Sequence, residues 1–218
     1  MIKAAIFDFD GLILDTETAW FDAYKEVLRS QFQFDLPLGE FVKCVGSDDT
    51  VLFSYLQNEL DNRLNVNSIR NEARKLHSQF VRDAKAREGV TDYLKEAKDE
   101  GLTIALATSS TTEWATTHLT NLNLLSYFDF LVTQDMVERV KPAPDIFLKT
   151  LEKLDLEAQE AVVFEDSLNG LIAAQEVNLP TVIIPNPVTA ALPFENYHLK
   201  LNSMTDMPLH EILKTLNR

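Results

Sequence analysis

Two carboxylates separated by one residue close the first apolar run of the chain, Asp8 and Asp10 in MIKAAIFDFDG. In an extended chain such residues point to the same side, so the two side chains lie close together. Like charges that close raise each other's pKa, and a fold accepts this only where a cation, a lysine or a shared proton offsets it. Four more short apolar runs follow, and the residues after them are of related types. TIALAT (103–108) ends in Thr108, with Ser109 and Ser110 next; FDFLVT (128–133) leads through a loop to Lys141 in KPAPDIF. AVVFE (161–165) delivers Glu165 and Asp166, while TVIIP (181–185) offers only Pro185, Asn186 and Pro187. If the runs are parallel strands, their carboxyl ends share one edge, which is where ligands bind in such sheets.

Carboxylates, hydroxyls and one amine at a common edge suit the handling of a phosphate. The carboxylates fit a hard divalent cation such as Mg²⁺, which prefers oxygen ligands. Lys141 would hold the acidic cluster together and grip a phosphate dianion. A carboxylate nucleophile can attack phosphorus to give an aspartyl phosphate, with metal and lysine neutralising the transferring oxygens. A second carboxylate can protonate the leaving alkoxide and then deprotonate the attacking water. On this reading Asp8 is the nucleophile and Asp10 the general acid/base. Singly, each residue also has a plain structural account. Asp10-Gly11 makes a turn, residues 108–112 cap a helix, Lys141 is solvated beside two prolines at a helix start, and Glu165-Asp166-Ser167 is a capped helix N-terminus.

The elements that would position these residues are legible in the pattern. The five runs are near-continuously apolar, as parallel strands covered on both faces are. Helical periodicity falls between them at 91–100, 111–122, 145–154 and 167–177. Strand and helix alternate, which predicts an α/β, doubly wound parallel-sheet (Rossmann-like) core. Residues 17–83 differ: Trp20, Phe21, Tyr24, Val27 and Leu28 share one helical face, and helical texture continues without a strand. We expect a catalytic core formed by 1–16 and 84–218 and an inserted, small all-helical cap over 17–83, with linkers near 14–17 and 84–89.

In order, DFDGLILDTE, ALATSS, KPAPDIF and VVFEDSLNG resemble the four signature motifs of the haloacid dehalogenase superfamily, in its phosphatase and β-phosphoglucomutase-like branch. The resemblance spans nearly the whole chain and places the insert where that branch carries a helical cap. It implies Asp8 as nucleophile and metal ligand, and Asp10 as acid/base whose backbone carbonyl also reaches Mg²⁺. It further implies Thr108 and the Ser109 backbone on the phosphoryl group, Lys141 between nucleophile and phosphate, and Glu165 and Asp166 on the metal, directly or through water. The implied activity is Mg²⁺-dependent hydrolysis of a small phosphorylated metabolite, a sugar or polyol phosphate.

Two other functions fit parts of the pattern. A sugar phosphomutase of this branch carries a histidine just after the first motif and an arginine in the cap loop, where this chain has Trp20 and the acids Asp48 and Asp49. A phosphoacceptor receiver domain also uses an acidic pair, a hydroxyl and a lysine, but places its acceptor on a later strand and has no large insert. A formal net charge of −14 argues against a nucleic-acid or anionic-membrane partner. Cys44, the single cysteine, excludes an intramolecular disulfide and a cysteine-only zinc site, and reads as a small core residue. His77 has no second ligand at metal spacing, and His118, His198 and His210 read as surface or packing residues. Lys43, Arg70, Arg74 and Lys75 read as a solvated helix face. No apolar run approaches the roughly 20 residues of a membrane span, and the short N-terminal run ends in carboxylates, unlike a signal peptide. The expectation is a cytoplasmic monomer or weak dimer.

Overall fold

The computed structural model describes residues 1–45, 49–60 and 64–217. All five apolar runs are strands: Ala4–Phe7 (β1), Thr103–Ala107 (β2), Phe130–Val132 (β3), Ala161–Glu165 (β4) and Thr181–Ile183 (β5). A sixth, Leu199–Lys200 (β6), is added at the edge, and every pairing is parallel, in the order β3-β2-β1-β4-β5-β6. The chain builds outward from β1 in one direction through β2 and β3, then returns to build β4, β5 and β6 on the other side. The reversal point therefore lies between β1 and β4. Asp8 and Glu165 stand on either side of it.

By its contacts the chain divides into two units. One comprises Met1–Leu14, Lys85–Pro185 and Pro193–Arg218; the other comprises Asp15–Ala84 and Asn186–Leu192. The second unit is helical, with α1 (Thr16–Phe32), α2 (Leu38–Phe41), α3 (Thr50–Glu59) and α4 (Val66–Arg82). Helix α4 buries Ile69, Ala73, His77 and Val81, a strict four-residue stripe. Trp20 of α1 stacks on His77, ring centroids 3.9 Å apart and 11° between planes. Cys44 is buried in this unit's core, its Sγ donating to the Phe41 carbonyl. Arg70 is not solvated as expected: it forks onto the Asp49 carboxylate and lies over the Phe53 ring. Asp48 falls outside the described residues. The segment 186–192, expected with the α/β part, belongs here, because Val188 is buried in the helical unit's core.

The α/β unit's helices are α5 (Val90–Asp99), α6 (Thr112–Asn121), α7 (Asp145–Leu154), α8 (Leu168–Glu176) and α9 (Leu209–Leu216). Alternation along the strands divides the core. Ala4 and Ile6, Ala105 and Ala107, and Ala161 and Val163 face one side with Ile146 and Phe147 of α7. On the other side Phe7 stacks on Phe164 at 4.8 Å, and Tyr93 of α5 meets Phe164 edge-on at 5.5 Å. Tyr93 is also tied by its hydroxyl, which donates to the Met207 carbonyl at 2.6 Å.

Helix α5 starts at Gly89, whose φ of +80° is the left-handed region. A Cβ there would lie 2.7 Å from Met204 Cβ and 3.0 Å from the Met204 carbonyl carbon. Gly89→Ala should therefore destabilise the protein by about 1–3 kcal/mol, through both backbone strain and overlap. A denaturant midpoint equal to the parent's would show that this turn adapts freely.

Candidate active site

The site begins with where β1 stops. Asp8 follows the last paired residue of β1, and its N–H donates to the Phe164 carbonyl at 3.1 Å, extending the ladder by one step. The chain then turns: Gly11, at φ +81°, donates its N–H to the Leu14 carbonyl at 2.7 Å. Asp10 thus sits on a tight turn beyond a central strand, and the turn reading of Asp10-Gly11 does not compete with the catalytic one.

Lys141 is the centre of the arrangement. Its buried ammonium donates to Asp8 Oδ1 at 2.6 Å, Glu165 Oε1 at 2.6 Å and the Ala107 carbonyl at 2.9 Å. An ammonium has three N–H groups, so all three are engaged by protein. The structure therefore gives Lys141 the charge-compensating half of its expected role. The other half, a contact to phosphate, would require one of these bonds to be exchanged. Glu165, fully buried, turns its second oxygen to the start of the next helix. Oε2 accepts from the N–H groups of Asp166 and Ser167, at 2.8 and 2.9 Å, and from the Ser167 hydroxyl at 3.0 Å. Ser167 caps α8 by accepting from the Gly170 N–H. The expected capped terminus is real, and it is also what fixes Glu165.

Burial pushes the Asp8 carboxyl up to about 8; the Lys141 charge opposes this, and Glu165 adds to it. Burial also works against the Lys141 ammonium, but Asp8 and Glu165 outweigh it and raise its pKa. The donor set fits a divalent cation on two grounds. Asp8, Glu165 and Asp166 each offer a carboxylate oxygen, all within 4.8 Å of one another. These three buried carboxyl groups also face a single ammonium, so a divalent cation would supply the compensation that their joint ionisation requires.

The loop after β2 supplies the hydroxyls. Thr108 is buried, and its Oγ1 accepts from the Ser110 N–H at 3.1 Å. Ser109 Oγ is buried without a protein hydrogen-bond partner. Asp8, Asp10, Thr108, Ser109, Lys141, Glu165 and Asp166 all stand at carboxyl ends of strands or in the loops beyond them. Two donors meet Asp10: Ser110 Oγ, already expected at this edge, donates to Oδ2 at 2.6 Å, and Trp114 Nε1, which the sequence reading left out, to Oδ1 at 3.0 Å. Gly170 was also missed as a functional position. A Cβ at Gly170 would sit 1.7 Å from Glu165 Oε1 and 1.9 Å from its Cδ. A glycine inside a helical pattern, where alanine is favoured by ~1 kcal/mol, was the available signal.

Comparison with known proteins shows the chain's family. The profile of the Haloacid dehalogenase-like hydrolase family matches residues 5–184. YhcW of Bacillus subtilis (strain 168), whose name carries a provisional phosphatase label, is 41% identical over 218 residues, covering 100% of this chain and 99% of that one. A protein of Thermotoga maritima named phosphorylated carbohydrates phosphatase is 32% identical over 83% of this chain and 84% of its own. The crystal structure of CbbY from Rhodobacter sphaeroides in complex with phosphate superposes with a TM-score of 0.71 at 25% identity, covering 94% of this chain and 96% of that one.

Two outcomes are expected from the site's electrostatics and packing. In metal-free protein, Asp8 binds a proton in the folded state up to about 8 but releases it near 3.8 when unfolded. Stability should therefore fall as pH rises between those values. Mg²⁺ should raise the melting temperature more at the alkaline end of that window than at the acid end, since binding displaces the proton. Melts in EDTA that rise with pH would refute the assignment. Independently, Gly170→Ala should force Glu165 off Lys141, lowering stability by about 3 kcal/mol or more as an uncompensated buried charge appears. A crystal structure of that variant with Glu165 still on Lys141 would refute the clash.

Proposed function

The chain belongs to the haloacid dehalogenase-like hydrolase family, and from that premise we propose that it is a Mg²⁺-dependent phosphatase of small phosphorylated carbohydrates, sugar or polyol phosphates. The observation that carries this reading is the triple anchorage of Lys141, which sets a buried carboxylate, Asp8, beside a cation at the sheet's reversal point. Asp8 attacks phosphorus; the bond from phosphorus to the leaving oxygen breaks, and that oxygen takes a proton from Asp10. Water then attacks the aspartyl phosphate, giving its proton to Asp10 and releasing phosphate. Thr108 and Ser109 orient the phosphoryl oxygens through hydroxyl and backbone N–H groups. Asp8, Asp166 and the Asp10 backbone carbonyl would hold Mg²⁺, and Glu165 would do so through water, because both its oxygens already accept from protein donors. When bound, the ion neutralises charge on the phosphoryl oxygens.

A carbohydrate phosphate is favoured as substrate by the name of the Thermotoga maritima relative. The phosphomutase alternative has less support, since Trp20 stands where that pattern has a histidine and stacks on His77. Purified protein with Mg²⁺ should release phosphate from members of a sugar and polyol phosphate panel, reversibly lost on chelation. Asp8→Asn should reduce release by more than the ~10²–10⁴-fold of a missing acid/base. Substantial activity in Asp8→Asn would remove the covalent route, and isomerised sugar phosphate without phosphate release would establish the mutase.

A further inference from the structure

Among the described residues, Asp10 is held by a system that shares no side chain with the Lys141 anchorage. Its Oδ1 accepts from the Trp114 indole N–H at 3.0 Å and its Oδ2 from the Ser110 hydroxyl at 2.6 Å. One donor on each oxygen fixes the plane of the carboxylate, which a single bond would leave free to turn. Trp114 is itself held firmly. It lies in the first turn of α6, where the Thr111 hydroxyl caps its backbone N–H at 3.1 Å. Its ring is backed by the buried His118, centroids 4.1 Å apart. The stretch from the end of β2 into the first turn of α6 thus carries Thr108 and both donors to Asp10.

The two donors are not equivalent. Indole nitrogen only donates, whereas a hydroxyl donates or accepts. Oδ1 therefore acts as an acceptor while Trp114 holds it, and because an O–H oxygen is the poorer acceptor, this bond favours a proton of Asp10 on Oδ2, where the Ser110 hydroxyl can rotate to accept it. We propose that Trp114 is a positioning residue for proton transfer: it orients Asp10 and favours the transferable proton on Oδ2. This rests on the phosphatase reading above. The step concerned is the first one, in which Oδ2–H gives its proton to the leaving oxygen as that oxygen takes the electron pair of the broken P–O bond.

The test uses leaving groups that differ in their need for a proton. An alkoxide from a sugar phosphate leaves poorly without one, while nitrophenolate leaves readily. Values of kcat/KM report the steps through formation of the aspartyl phosphate, so the later hydrolysis common to both substrates does not enter. The intact protein is assayed on the best sugar phosphate of the panel and on p-nitrophenyl phosphate, as parent and as Trp114→Phe. The variant's kcat/KM should fall about 10-fold or more further on the sugar phosphate than on the aryl ester, a fraction of the full acid contribution of ~10²–10⁴. Replacement of Trp114 by benzothienylalanine, which exchanges the N–H for sulfur in the same ring shape, should give the same pattern and carries the test if Trp114→Phe does not fold. Equal losses on both substrates, no loss, or a gain on the sugar phosphate would overturn the proposal. Absence of phosphate release from either substrate by the parent would instead overturn the phosphatase reading.

Discussion

One ammonium group organises the catalytic edge of the sheet. Lys141 reaches the ends of β1, β4 and β2, the three adjacent central strands, through Asp8, Glu165 and the Ala107 carbonyl. None of these contacts is local: they span 133, 24 and 34 residues of sequence. A buried cation in such a place gives little net stability, because desolvation of the charges consumes most of the Coulombic gain. Removing any one partner, by contrast, strands a charge in the interior. The cluster is thus better understood as a constraint on geometry than as a source of stability. It fixes the distance between Asp8 and its counter-charge, and it gathers three carboxyl groups in reach of one cation.

Much of this edge does two jobs with the same atoms. Ser167 caps α8 and simultaneously binds Glu165. Gly11 makes the turn that ends the β1 excursion and places Asp10. Arg87 donates to the carbonyls of Gly11, Ile184 and Pro185, and its own N–H to Ile13. It therefore ties together the segments from which the chain leaves the α/β unit after Leu14 and after Pro185. Structural and catalytic accounts of these residues are not competitors, because a catalytic side chain is only as well placed as the turn or cap beneath it.

What was legible in the sequence follows from the range of the forces involved. Buried parallel strands must be apolar on both faces, so β1 to β5 announced themselves, as did helix α7, whose bounds match the periodicity. The carboxyl-end rule then gathered Asp8, Thr108, Lys141 and Glu165 without any knowledge of contacts. Strand β6 was missed because two residues at a sheet edge carry no pattern. The assignment of 186–192 to the helical unit was missed because one buried valine, Val188, decides it. Arg70 looked solvated because nothing local reveals its pairing with Asp49, 21 positions away. Trp114 stands on a helix that was expected, but its bond to Asp10 crosses 104 residues. Patterns report burial; they do not report which distant acceptor a donor will find.

The spacing of Asp8 and Asp10 raised the question of how two like charges two residues apart are tolerated. The structure answers it by giving each a different environment. Asp8 is buried, held by a cation, and its carboxyl is pushed up by desolvation, so its ionisation depends on what else enters the site. Asp10 is partly exposed and is held by neutral donors, an indole and a hydroxyl, from another strand's loop. Neutral donors beside Asp8 would not offset its burial. The two chemistries thus require the two environments to be kept apart. In the proposed mechanism Asp8 needs a compensated negative charge to attack, and Asp10 needs to gain and lose a proton. The alternation of an extended chain brings the pair together. The different segments that meet them, from β3 by way of Lys141 and from β2 by way of Ser110 and Trp114, give one residue type two environments, as the proposed roles of nucleophile and acid require.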